Sequence, residues 1–179
     1  FLVIEPDAEM RNVLIAEIEE ATGFRAMGSS IRDCTPEALS GAAPVAMYGV
    51  AEQVRAALPP EVSCLYLKLR SVHASMAGQE RPSSDSLVTV VSRWPEFLKW
   101  AHTVLVAAAI DPDALSLRDA REQGWQKGLA QSAMVITDAL TAKNLPRGCP
   151  ARVFRIIADS SIEELINLKN SYHRLPARL

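Results

Sequence analysis

The chain repeats itself at a spacing of 87 residues, and that spacing constrains its fold more than any other feature. Displaced by 87 positions, Val3 falls on Val90, Glu9 on Glu96 and Ala21 on Ala108. Gly41 falls on Gly128, Ala46-Met47 on Ala133-Met134, and Leu58-Pro59 on Leu145-Pro146, with no gap introduced. The order of elements carries the repeat more strongly than the identities do. Each half reads strand, helix, strand, helix, strand, helix, strand. The expected fold class is therefore α/β, with two similar lobes, each a small parallel sheet flanked by helices. Two such lobes make a cleft where a small ligand can be sensed.

The halves divide at AGQERPSSDS, residues 77–86, the most linker-like stretch in the chain. The expected domains are a first lobe over 1–76 and a second over 87–179 that includes a C-terminal helix. The 179 residues suffice for two such lobes. The net charge of −2 gives the chain no basic excess for tracking a phosphate backbone. Its three cysteines, Cys34, Cys64 and Cys149, are odd in number and form no CxxC. That usage predicts reduced thiols and a cytoplasmic protein. Cys64 and Cys149 sit in apolar runs and read as small core residues. No apolar run is long enough to span a bilayer, so no membrane partner is expected. Phe1 opens directly into a buried-strand pattern, which predicts further chain upstream.

Local signals place the elements. Phe1 to Ile4 is an apolar run, as in a strand buried on both faces. Asp7 predicts an N-cap for a helix to about Thr22, stopped by Gly23. Strands follow at Phe24–Met27, Val45–Tyr48 and Val62–Leu69. Thr35-Pro36-Glu37 predicts a short capped helix, and Ala51–Leu58 another. In the second half, strands are expected at 87–91, 115–117, 134–136 and 153–158. Pro95-Glu96 opens a helix with Phe97, Trp100, Ala101, Val104, Leu105 and Ala108 on one face, which makes Trp100 a core candidate. A weaker helix is expected over Gln123–Gln131 and another from Thr137-Asp138 to Leu145. Ser160 and Glu163 read as a capping box for the last helix, to about Tyr172.

Signatures of several chemistries are absent. There is no GxGxxG after Ile4 or Val91, no GxxxxGK[ST] and no GxSxG. His73, His102 and His173 lack metal-ligand spacing. The run Leu2-Val-Ile-Glu-Pro-Asp7 resembles the opening of a receiver domain. Phosphotransfer there also needs an aspartate at the end of the third strand, and here that place is near Tyr48-Gly49. Glu5 and Asp7 therefore read as a turn and a cap. Neither a metal nor a cofactor is expected.

The candidate site rests on position. Ligands of open parallel sheets bind beyond the carboxyl ends of the strands. Those ends carry Tyr48 in the first half and Ser92, Arg93, Trp94, Thr137 and Asp138 in the second. Ser92-Arg93-Trp94 offers a hydroxyl, a planar cation and a flat apolar surface before a helix start. The competing reading is that Trp94 staples that helix and Arg93 is solvated.

Several stretches together resemble a known family: FLVIEPDAEMRNVLIAEIEEATGF, APVAMYGVAEQVRAALP, SLVTVVSRWPEFLKWAHTVLVAAAI, and QSAMVITDALTAKNLP before ARVFRIIADSSIEEL. They resemble the effector domain that follows the winged-helix reader in some bacterial GntR-family transcription regulators. That domain has two periplasmic-binding-protein-like lobes. The resemblance implies a homodimer sensing a small-molecule effector without catalysis, and DNA contact only through a reader upstream of Phe1. Two alternatives stand beside it. One is an enzyme working between two lobes, as in the uroporphyrinogen-III-synthase-like fold. The other is a receiver-like dimerisation module.

Overall fold

The computed structural model describes residues 1–71, 74–75 and 86–173. The end of the expected first lobe and nearly all of the expected linker lie outside those residues. The chain forms two compact units. One comprises Phe1–Arg70 together with Ile156–Leu179, and the other Ser71–Arg155.

The first unit opens with β1 (Leu2–Ile4), buried along its whole length. Asp7 caps α1 (Ala8–Thr22) by accepting the Met10 N–H at 2.8 Å. Gly23 ends the helix with φ 69°, a left-handed conformation that costs glycine nothing, and its N–H returns to the Glu19 carbonyl. There follow β2 (Met27–Ser29), α2 (Pro36–Leu39), β3 (Pro44–Met47), a 3-10 turn at Tyr48–Val50, α3 (Ala51–Ala57) and β4 (Leu65–Leu67). Thr35 caps α2 as expected, with Pro36 at the start of the helix. The strands form a fully parallel sheet in the order β2-β1-β3-β4. Leu2, Ile4 and Ala46 pack on one face with Leu39, Val54 and Leu58. Strand alternation turns Val3 and Val45 to the other face, and α1 buries Val13, Leu14 and Ile18.

The second unit contains β5 (Val88–Ser92), α4 (Pro95–Ala107), β6 (Leu115–Asp119), β7 (Met134–Thr137), α5 (Ala139–Ala142) and β8 (Ala151–Val153). Its sheet is also fully parallel, in the order β6-β5-β7-β8. The expected architecture is thus present: two four-stranded parallel sheets of like order, flanked by helices.

The repeat is topological, and its gapless register does not survive. Val3 lies beside Gly28 and Val45, and Val45 beside Leu65. In the second unit Val90 lies beside Leu117 and Ile136, and Ile136 beside Arg152. Equivalent residues are 87 apart at the first and fourth strands but further apart at the second and third. Ala46-Met47 therefore corresponds to Thr137-Asp138, not to Ala133-Met134. Loops absorb length changes that a sheet cannot.

Three other expectations are corrected. The segment 123–131 is a series of turns ending in a 3-10 turn at Leu129–Gln131, because Gly124 and Gly128 take φ of 79° and 72°. The Arg118 guanidinium donates to the Trp125 and Lys127 carbonyls and holds that loop. The last helix, α6 (Asp159–His173), starts before Ser160, which lies within its first turn and not at its cap.

The largest correction concerns where α6 belongs. The sequence places it with the second lobe, but the strand expected over 153–158 ends at Val153 and the chain returns to the first unit at Ile156. There, Leu69 and Ile157 form an antiparallel bridge. Arg70 N–H donates to the Ile156 carbonyl and Ala158 N–H to the Lys68 carbonyl. The Ser161 hydroxyl accepts the Lys68 N–H at 3.0 Å, and Arg70 pairs with Asp159. Beneath this segment the fully buried Glu17 carboxylate accepts the N–H groups of Ile156, at 2.7 Å, and Ile157, at 3.0 Å. Lys169 closes the far end on the Thr22 carbonyl. Among the described residues no helix is long and apolar enough to cross a membrane.

Candidate functional site

In a parallel sheet of order 2-1-3-4 the connections diverge at the first and third strands, and their carboxyl ends form the natural binding position. Each unit has one such position: Glu5 with Met47-Tyr48 in the first, and Ser92 with Thr137-Asp138 in the second.

In the second unit that position is filled from within. Ser92, Thr137 and Asp138 are fully buried. Asp138 caps α5, accepting the Thr141 N–H at 2.7 Å and the Thr141 hydroxyl at 2.7 Å. Its Oδ2 also accepts the Ser92 hydroxyl at 2.6 Å, and Ser92 Oγ in turn accepts the Trp94 N–H at 3.0 Å. These bonds tie the ends of β5 and β7 to the starts of α4 and α5. The buried carboxylate is satisfied by three donors, as burial of a charge demands.

Ser92, Thr137 and Asp138 thus lie together at the carboxyl ends of β5 and β7. What the geometry supplies there is an internal brace and not a set of open ligand donors. Trp94 is the half-buried N-cap residue of α4 and its ring lies 6.5 Å from that of Phe97, so the stapling reading describes it. Arg93 is exposed, and its N–H reaches Thr141 Oγ1 at 3.4 Å. The neighbouring Asp119 carboxyl is held below its usual range by hydrogen bonds from Arg121, with Arg93 a lesser contributor. Tyr48 belongs to the first unit, and the other five candidates belong to the second.

Two polar atoms of this region are buried without a hydrogen-bond partner, Thr137 Oγ1 and Trp94 Nε1. An unpaired buried hydroxyl costs stability, whereas an isosteric methyl does not. Thr137→Val is therefore expected to be neutral or to stabilise by up to about 1 kcal/mol. Ser92→Ala, which removes a donor to Asp138 and the acceptor of Trp94 N–H, should cost about 1–3 kcal/mol. Urea unfolding of the two variants checks the contrast. Equal losses would show that the Thr137 hydroxyl is bonded.

Glu5 occupies in the first unit the place Ser92 holds in the second. It is 3% exposed, and its Oε1 accepts the Asp7 N–H at 3.1 Å, as Ser92 Oγ accepts the Trp94 N–H. Its Oε2 has no hydrogen-bond partner. Burial pushes its pKa up, and the bond from Asp7 N–H only partly offsets that. The sequence shows Glu5 as a turn residue.

The first unit has open grooves, two of which lie beside β3 and β4. One, of about 410 Å³, lies at the carboxyl ends of β3 and β4 and is lined by Tyr48, Gly49, Leu67, Lys68 and Leu69. The other, of about 500 Å³, lies at their amino ends beside α6 and includes Pro44, Cys64, Leu65, Glu164, Asn167 and Leu168. Burial, with a smaller contribution from nearby Cys34, pushes the Cys64 thiol up to about 11, so it stays protonated at neutral pH and is a poor nucleophile. No group of three or more metal-ligating side chains is gathered among the described residues. No family model, curated protein or solved structure matches the chain.

Proposed function

We propose that this chain is the effector-sensing domain of a bacterial transcription regulator resembling the GntR family, binding a small molecule without transforming it. The observation that carries the reading is the pair of parallel sheets of like order whose polypeptide passes between units twice, with the C-terminal segment returning to the first unit. Support also comes from the use made of the strand ends. In the second unit they are braced internally, and in the first they border an open, largely apolar groove. This is the layout of a binding scaffold.

In this mechanism the effector has different affinities for two conformations of the domain and shifts their populations. A homodimer carries that shift to the DNA readers attached to it.

Thermal unfolding of the full chain against a panel of polar and aromatic metabolites tests the proposal. A ligand present at 100 times its Kd stabilises by about 2.7 kcal/mol. For a chain of this size that corresponds to a rise in Tm of roughly 5–10 °C. Consumption of any compound would replace sensing with catalysis. A panel that leaves Tm unmoved, with the chain dimeric by sedimentation, would make it a dimerisation module.

A further inference from the structure

We propose that the groove at the carboxyl ends of β3 and β4 is the effector site, and that its ligand is a flat aromatic molecule bearing one anionic group. This rests on the sensing role proposed above and adds a location and a ligand class to it.

The first observation is the exposure of the lining. Tyr48 is 68% and Leu69 66% exposed, the two most exposed large apolar side chains among the described residues. Most large exposed apolar side chains are scattered and need no explanation. Met27 and Leu117, for example, lie apart on the edge strands β2 and β6. Tyr48 and Leu69 instead line one groove, whose floor includes the fully buried Leu67.

The second observation is that both walls are held. Tyr48 and Gly49 lie in the 3-10 turn that leads from β3 into α3. On the other side, Lys68 and Arg70 bond through their backbones to Ser161, Ala158 and Ile156. Leu69 is thus kept exposed on a backbone fixed at both neighbours. A prepositioned apolar surface loses less entropy on binding than a mobile one.

The third observation gives the ligand's chemistry. Lys68 is the one cation among the lining residues. The nearby Arg70 guanidinium is already engaged by Asp159. The ring of Tyr48 offers a face for stacking and its hydroxyl a hydrogen bond. The volume of about 410 Å³ falls in the small-molecule range of roughly 300–1,000 Å³. Five lining residues fall well short of the twenty or so that a stable protein interface needs on each side.

Gly49 provides a test that spares the fold. A Cβ added there meets no atom within 4 Å, so a side chain at this position starts into open space. The probe is 1-anilinonaphthalene-8-sulfonate, an anionic molecule with a flat naphthalene ring, titrated by fluorescence into the full chain. Its uncharged counterpart is N-phenyl-1-naphthylamine. Saturable 1:1 binding is expected. Gly49→Trp and Tyr48→Ala should weaken both probes about tenfold or more, and Lys68→Gln the anionic one alone. Cooperative melts at the wild-type Tm exclude binding to loosened protein. Wild-type affinity in Gly49→Trp and Tyr48→Ala overturns the groove, as does the absence of saturable binding. A metabolite from the panel that still binds Gly49→Trp as tightly also overturns the groove while the sensing role stands. Probe binding that maps to the groove with no metabolite bound leaves the groove and removes the sensing role.

Discussion

Glu17→Ala is expected to cost about 3–5 kcal/mol, because it leaves two buried N–H donors without their acceptor. Those donors belong to Ile156 and Ile157, 139 and 140 residues further along the chain. Each hydrogen bond to a charged acceptor contributes about 1.5–3 kcal/mol, and the alanine also leaves space where the carboxylate stood. The loss should be local before it is global. Hydrogen exchange should show Ile156 and Ile157 amides losing protection while β5 amides keep theirs. Glu17→Gln, which keeps a carbonyl acceptor but no charge, should fall between the two. A loss below about 1 kcal/mol in Glu17→Ala would mean that the bridge of Leu69 to Ile157 and the packing of α6 suffice alone.

Phe97→Ala is the second large effect, about 3–5 kcal/mol in denaturant unfolding. Phe97 is fully buried on α4, with its ring 5.7 Å from Trp100 and 6.5 Å from Trp94. The sequence nominates Trp100 as the core aromatic of this helix. Trp100 is only half-buried, and its ring meets Phe154 edge-on at 6.0 Å. Trp100→Ala should therefore cost clearly less than Phe97→Ala. The reverse order would make the Trp100–Phe154 contact the dominant packing of the second unit.

Aromatic order on α4 shows how far periodicity reaches. Phe97, Ala101, Val104 and Leu105 occupy the buried face, as their spacing predicts. The same spacing cannot rank Phe97 against Trp100, because both lie on the apolar arc and depth depends on what covers it. Some caps were legible too. Asp7 and Thr35-Pro36 each start a helix and Gly23 ends one, whereas Ser160 does not cap α6. The strand-end candidates show the limit. Their position at the ends of β5 and β7 follows from the alternation of elements. Whether a strand-end hydroxyl meets a ligand or a neighbouring cap depends on distances of 2.6–3.0 Å that no spacing encodes.

The amino-acid sequence by itself determined the α/β class, the repeated order of elements and most helix starts. These follow from signals that act within a few residues: β-branched runs, capping side chains, and proline or glycine at positions that need them. Only the tertiary structure decided that the last helix joins the first unit and that the gapless register fails. It also decided that the Ser92–Asp138 cluster is closed while the groove beside Tyr48 is open. The physical reason is range. A buried carboxylate such as Glu17 must be satisfied by donors, and the donors it finds lie at the other end of the chain, where no local pattern announces them.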